Sequence, residues 1–375
     1  MKILQLSSAQ AFGGGERHLV DLANALTARG HEVHVVVRSN LNIFGDLKVA
    51  PENVVRLPLR NALDAKSASG LARFVRNKSI DIVHAHMARD YPLAAYSVRR
   101  NPNARLVVTR HVLFPLNRLH KVTLNHTSRV IAVSHAVAQR LRAQELVAPE
   151  KITVIHNGID VDKMEDTRQH FNRRDFCQRW DLPSASSLVG SVGTLTALKG
   201  HEDFLHAAAK LPGDSAFFVV SGTEASTSQE YRRRLEQLIE QLGLTNRVRL
   251  IGRMSDISEL YCALDIFVSA SHSESFGMAI VEAMASGTAV VATQTEGAQE
   301  IIEDGHTGIL IPVADSERMT TEIERLLSDR ARRQELADNA RALVRERFGL
   351  ARMVNETEEL YAQILLDRER RGRAG

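Results

Sequence analysis

The sequence predicts an α/β protein built as two doubly wound domains, and three observations carry that expectation. Twelve short apolar runs of strand length alternate with helical patterns along most of the chain. The alternation pauses once, over a polar and weakly periodic stretch at residues 161–187, and then restarts. At 375 residues the chain is also longer than one hydrophobic core comfortably supports. Strands separated by helices pair in parallel through right-handed crossovers, and two such domains imply a cleft between them.

The elements follow in order. A strand at residues 2–6 leads into a glycine turn, Gly13-Gly14-Gly15, and then a helix over 16–28 with Leu19, Leu22, Ala23 and Leu26 on one face, stopped by Gly30. Strands at 32–37, 81–85, 105–109, 129–133 and 151–155 complete an N-terminal, acceptor-side domain placed at residues 1–165. Asn157-Gly158 ends this run, and the polar stretch after it reads as a linker or an exposed helical connection. Strands at Leu188–Val192, 216–221, 247–251, 265–268, 288–292 and 308–311 define a second domain at 166–348. Beyond Asp315 the pattern is helical, at Ser316–Ser328, 332–347 and 350–366. The last helix spaces Met353, Thr357, Leu360, Tyr361 and Ile364 three to four apart, which gives one buried stripe. It is expected as a separate element, 349–375, returning toward the N-terminal domain, with the tail Arg368 to Arg373 frayed.

Composition excludes several classes. With 44% hydrophobic and 25% charged residues and no biased tract, the chain is an ordinary globular one. No apolar run reaches the roughly 18 residues of a membrane span, and no signal-peptide hydrophobic region follows Met1, so a cytoplasmic location is expected. Two cysteines, Cys177 and Cys262, are too few for a disulfide framework or a four-ligand zinc site. Residues 1–170 hold 24 Lys/Arg against 14 Asp/Glu, so the first half is basic. The excess is scattered and not interleaved with aromatics, which suits a phosphate-bearing acceptor or an anionic membrane surface and does not suggest nucleic acid. Arg56, Arg60, Lys66, Arg73, Arg76 and Lys78, with Leu57, Leu59, Leu63, Leu71, Phe74 and Val75 between them, form the candidate membrane-facing stretch.

The chemistry concentrates at residues 273–287. Ser273 and Ser275 can cap a helix starting around Phe276 and ending at Gly287, whose unpaired amides from Ser275 through Phe276 and Gly277 to Met278 make a seat for an anion or sugar hydroxyls. Glu274 precedes that helix and Glu282 lies about two turns inside it, so the carboxylates stand roughly 10–12 Å apart on helical geometry. That is too far for a shared proton or a glycosidase pair, and it is comparable to the span from a sugar ring across a diphosphate to a ribose.

Glu274 and Glu282, with seven residues between and Phe276-Gly277 after the first, resemble the EX7E motif of family 4 glycosyltransferases. The resemblance extends to Asp81-Ile-Val-His84-Ala-His86, Thr109-Arg110-His111, Val130 to Ser134, Val154 to Asp160, Gly193 with Lys199-Gly200, and Ala285-Ser-Gly287. It covers nearly all the chain from Met1 to about Tyr361. It implies a GT-B architecture, in which two Rossmann-like domains face across a cleft, with retention of anomeric configuration and no metal or other cofactor. It further implies that the residue matching Glu282 holds ribose hydroxyls, the one matching Glu274 contacts sugar hydroxyls, and Lys199 neutralises the diphosphate. His111 matches a histidine near the reacting carbon, and Gly13, Gly14 and Gly15 match a loop approaching donor phosphates and acceptor. The donor is expected to be a nucleotide-sugar with uridine diphosphate as its carrier, and the acceptor a glycan, lipid-linked or small-molecule hydroxyl.

Two departures from the family pattern stand out. An arginine usually follows the glycine matching Gly193, and here Thr194 stands there, so Arg253 or Arg110 is expected to supply the missing charge. Glu224 replaces a second glycine after Gly222. Asp160-Val161-Asp162 spells a D-x-D but follows an Asn-Gly turn, and His84 and His86 lack a third ligand of clear spacing, so no metal site is read. The competing readings are an epimerase or phosphorylase of the same fold and a non-catalytic nucleic-acid or partner-binding protein.

Overall fold

The computed structural model of the chain describes residues 1–10, 13–39, 46–213, 215–224, 228–254 and 256–373. The chain divides into two compact units, Met1–Gly158 with Leu350–Gly375, and Ile159–Gly349.

In the first unit the described residues form a parallel sheet of β1 (Lys2–Ser7), β2 (Glu32–Arg38), β3 (Val54–Leu57), β4 (Ile82–Ala85), β5 (Arg105–Arg110), β6 (Arg129–Ala132) and β7 (Ile152–Val154). Its order is β3-β2-β1-β4-β5-β6-β7, so the direction of winding reverses between β1 and β4. Helices α1 (Gly14–Ala28), α2 (Ala65–Lys78), α3 (Tyr91–Arg99), α4 (His120–Leu124) and α5 (His135–Ala143) connect the strands. The strands are buried along most of their length and read as continuous Val, Ile and Leu runs, as expected of a parallel sheet covered on both faces. β3 escaped the sequence reading because its four residues are an edge strand with no buried position.

In the second unit, helices α6 (Val161–His170) and α7 (Arg173–Arg179) come first. Strands β8 (Leu188–Val192), β9 (Phe217–Ser221), β10 (Val248–Ile251), β11 (Ile266–Ser269), β12 (Ala289–Thr293) and β13 (Ile309–Ile311) pair in the order β10-β9-β8-β11-β12-β13. Helices α8 (His201–Lys210), α9 (Glu230–Gln241), α10 (Ser258–Ala263), α11 (Met278–Ala285), α12 (Glu296–Ile301), α13 (Ser316–Ser328) and α14 (Arg330–Arg347) surround them. Winding reverses here between β8 and β11.

The polar stretch after Asn157 is helical, and both its helices belong to the second unit. Asp160 starts α6 by accepting the Lys163 N–H at 3.0 Å, which gives the first carboxylate of the D-x-D a helix-capping role. Ser258 Oγ on α10 then meets Thr167 Oγ1 on α6 at 3.3 Å. The last helix, α15 (Leu350–Arg373), belongs to the first unit, where Met353, Val354, Leu360, Tyr361 and Ile364 join its core beside Leu19, Leu22 and Leu26 of α1. The tail is not frayed, since α15 runs to Arg373 and Arg368 donates to the Asn103 carbonyl at 2.8 Å.

Gly200, at the start of α8, has φ +63°, and a Cβ there would lie 1.9 Å from the Ala270 carbonyl oxygen. Gly243 has φ +68° with nothing within 4 Å of the same position. Left-handed backbone alone disfavours alanine by about 1–2 kcal/mol, so Gly243→Ala should cost roughly that and Gly200→Ala about 3 kcal/mol or more. Denaturant unfolding followed by the fluorescence of Trp180, in the same unit, measures both; equal losses would refute the close approach.

Candidate active site

Open parallel sheets bind ligands outside the carboxyl ends of their strands, where the winding reverses. In the second unit that place lies beyond β8 and β11. β8 leads into Gly193 and a loop that ends in the single 3-10 turn Ala197–Lys199 and Gly200. β11 leads into the Glu274 loop and α11. The two loops meet at an ion pair, with Lys199 Nζ donating to both Glu274 carboxylate oxygens at 2.9 and 2.6 Å. Both side chains are largely withdrawn from solvent. Gly193 allows this approach, because a Cβ there would already lie 3.4 Å from the Lys199 stem. Gly222, at the end of β9, is packed still closer, with its Cβ position 1.8 Å from the Gly193 carbonyl oxygen.

The helix after Glu274 begins later than its sequence suggests. Neither Ser273 nor Ser275 caps it; α11 starts at Met278, and Gly277 precedes it with φ +114°, a conformation that favours glycine. Two contacts keep the preceding residues out of the helix. The Gly297 N–H of α12 donates to the Glu274 carbonyl at 3.0 Å, and the buried Phe276 ring meets Phe348 edge-on at 5.6 Å. The Ile280 and Val281 N–H groups close the first turn onto the Gly277 carbonyl at 3.0 and 3.1 Å, so the Met278 and Ala279 amides precede the first intrahelical donor. Glu282 is therefore the fifth helical residue, only just over one turn inside, and its separation from Glu274 does not run along one helix axis. Its carboxylate is half-buried and accepts the Tyr261 hydroxyl at 3.1 Å. Burial, then the Glu282 charge, pushes the Tyr261 hydroxyl well above its usual pKa.

Tyr261 and Gly297 were missed in the sequence. Tyr261 sits in a short helix without a motif, and Gly297 is required only because its Cβ would lie 2.5 to 2.8 Å from backbone atoms of Phe276 and Glu274. Thr194 is exposed. Arg253 is exposed at the carboxyl end of β10, in the same sheet as β8 with β9 between them. Arg110 belongs to the first unit, is buried, and donates to the Phe114 carbonyl. Glu224 has a local role at the start of α9, accepting the Tyr231 and Arg232 amides at 2.9 and 3.2 Å.

In the first unit the corresponding place is beyond β1 and β4. The glycine run is not a turn: Gly14 and Gly15 are the first residues of α1, and Gly13 precedes it in extended backbone, its N–H on Glu16 Oε2 at 2.9 Å. Gly15 serves close packing instead, since its Cβ would lie 3.4 Å from the His111 ring. His111 ends in a cluster of imidazoles, with its Nε2 3.3 Å from His86 Nδ1 and its ring 4.9 Å from that of His18. Burial, then the neighbouring histidines, lowers the His111 pKa well below the usual value. His86 thus meets rings from far along the sequence, His111 just after β5 and His18 of α1, while both nitrogens of His84 are engaged elsewhere.

Two family models match the chain, one described as glycosyl transferases group 1 over residues 172–343 and one as glycosyltransferase family 4 over residues 12–163. The chain belongs to the family 4 glycosyltransferases. The enzyme is similar over its length to the N-acetyl-alpha-D-glucosaminyl L-malate synthase of Bacillus anthracis, at 27% identity covering 92% of this chain and 93% of that one. Among solved structures, a glycosyltransferase from Rickettsia africae superimposes with a TM-score of 0.86 at 26% identity, covering 97% and 98% of the two chains. Anabaena Alr3699/HepE in complex with UDP-glucose gives 0.84 at 25% identity, covering 97% and 100%. The transferase has the GT-B fold of these proteins.

His201, buried behind the Lys199 loop, gives that loop a pH dependence. Burial lowers its pKa to about 4, against 6.5 unperturbed. Between those values the unfolded chain binds the proton and the folded one does not, so stability is full above pH 6.5 and lost as pH falls toward 4, by about 3 kcal/mol. His201→Gln should therefore lose less stability than the wild type between pH 7 and 4.5 in thermal unfolding; parallel losses would exclude His201 as a source.

Proposed function

We infer that the enzyme transfers a hexose-type sugar from UDP to a hydroxyl of a glycan, lipid-linked or small-molecule acceptor, with retention of configuration and without a metal. The observation that carries this reading is the Lys199–Glu274 pair beside the first amides of α11. A departing diphosphate gathers negative charge, and an ammonium together with preorganised amides stabilises such charge where other transferases use magnesium. Lys199 and the Met278 and Ala279 amides take the diphosphate, Glu274 takes hydroxyls of the sugar, and Glu282, oriented by Tyr261, takes those of the ribose. Arg253, exposed just beyond the carboxyl end of β10, supplies the charge that Thr194 lacks. His111 is uncharged at neutral pH, so it serves as a hydrogen-bonding imidazole and not as a cation. UDP is chosen because Alr3699/HepE binds UDP-glucose, and the acceptor class because the Bacillus anthracis relative is named for a small hydroxy acid.

Thermal shifts against a panel of nucleoside diphosphates test the donor site. UDP at about 100 times its Kd should stabilise the wild type by about 2.7 kcal/mol, and Glu282→Ala should remove most of that. An indifferent panel, or an unaltered shift in the variant, would overturn the assignment.

Peripheral contact with an anionic membrane belongs to the same reading, on a different segment from the one its sequence suggested. Leu59, Leu71 and Val75 around α2 are core residues, and Phe74 packs on His34, leaving Leu63 as the exposed apolar residue of that stretch. Phe114, Leu119 and Val122 are exposed instead, with Arg118 and Lys121 between them. Apolar side chains interleaved with cations suit a lipid headgroup boundary. Leu119→Glu should weaken salt-sensitive sedimentation with phosphatidylserine vesicles about tenfold or more; no binding by the wild type would end the idea.

A further inference from the structure

The first unit gathers more imidazole than an acceptor-side histidine requires. His18 of α1, His86 after β4 and His111 after β5 each bring a ring nitrogen within 4.8 Å of the other two. Hydrogen bonds decide which nitrogens keep lone pairs. His18 Nδ1–H donates to Asn157 Oδ1 at 2.9 Å, leaving His18 Nε2 buried with no partner. His86 Nε2–H donates to Gln5 Oε1 at 2.7 Å, leaving His86 Nδ1 directed at His111 Nε2. His84 is excluded although its ring lies against His86, because both its nitrogens are engaged, with Tyr361 Oη and Thr109 Oγ1, each at 2.6 Å.

We propose that His18, His86 and His111 form a binding site for one divalent transition-metal ion of the Zn2+ type, and that filling it withdraws His111 from sugar transfer. Tetrahedral ligation at about 2.0–2.1 Å sets nitrogens roughly 3.3–3.4 Å apart, and the His86–His111 pair already stands at 3.3 Å. His18 closes the remaining gap by small side-chain rotation. Asn157 and Gln5 each hold the far nitrogen of a ligating ring, the outer-shell arrangement that fixes tautomer and orientation at metal sites. His111 surrenders its Nε2 lone pair by moving its proton to Nδ1, which is buried and without a partner in the metal-free state. His111 is half-buried, which leaves the fourth position to water. The binding site stands independently of the proposed function; the inhibition rests on it.

Titration of the full chain with Co2+ tests the site. One equivalent should develop the visible bands of a low-coordinate imidazole complex, resist a large excess of Mg2+, and be lost in His18→Gln and His86→Gln proteins whose melting is unchanged. Should those variants fail to fold, the wild-type proton spectrum decides, because Zn2+ should shift the ring resonances of His18, His86 and His111, with His84 as the ring packed on His86, and leave the remaining histidines unmoved. Absence of saturable bands, bands undiminished in both folded variants, or shifts scattered over many histidines would overturn the site. Stoichiometric Zn2+ should lower transfer tenfold or more, reversibly with a chelator. Full activity at metal saturation would overturn the inhibition and the role of His111, while the spectral result stands for the site.

Discussion

Parallel strand pairing is the constraint on which everything else depends. Because every described strand within each sheet runs the same way, all its carboxyl ends, and the loops that leave them, gather along one edge. Reversal of winding then parts the two central loops and opens a place between them. In the second unit this brings together Lys199 after β8 and Glu274 after β11, residues far apart in sequence. In the first it brings His86 after β4 and His111 after β5 beside His18 at the start of α1. Neither grouping depends on a long-range motif, only on which strands are neighbours.

That dependence explains what was legible in the sequence. Apolar runs of strand length located all the described strands but β3, since a strand covered on both faces cannot alternate and a short edge strand leaves little trace. Glu274 and Glu282 stood out by type and spacing and Lys199 through the family resemblance, and the structure brings Lys199 and Glu274 together. The start of α11 was misplaced because Ser273 and Ser275 have capping side chains, and nothing local reveals that Gly297 would hold the Glu274 carbonyl instead. The glycines before α1 were assigned a turn, whereas the demand on Gly15 comes from a histidine ring nearly a hundred residues later. Tertiary neighbours decided these positions, and local spacing could not.

The Lys199–Glu274 pair also sets how strongly the donor site can respond to charge. Partly screened pairs of this kind contribute on the order of 1 kcal/mol, so a ligand that offers the ammonium two phosphates and the carboxylate a hydroxyl competes from a nearly level start. On the proposed function, the site rests in a neutral state with its two working groups already placed, and binding exchanges partners instead of ordering loose side chains. Gly193 and Gly222 keep the lysine stem and the strand ends close enough for that exchange to be local.

The return of α15 to the first unit has a consequence for synthesis. The core that includes Ile3, Leu19 and Ile82 is completed by Met353, Tyr361 and Ile364, and the buried His84 imidazole finds its Tyr361 hydroxyl only there. A nascent chain emerging from the ribosome can fold its second unit as one continuous segment, while the first waits, with an open apolar stripe, for the last helix to arrive. Completion of the first unit's core therefore depends on the last residues of this sequence to be translated.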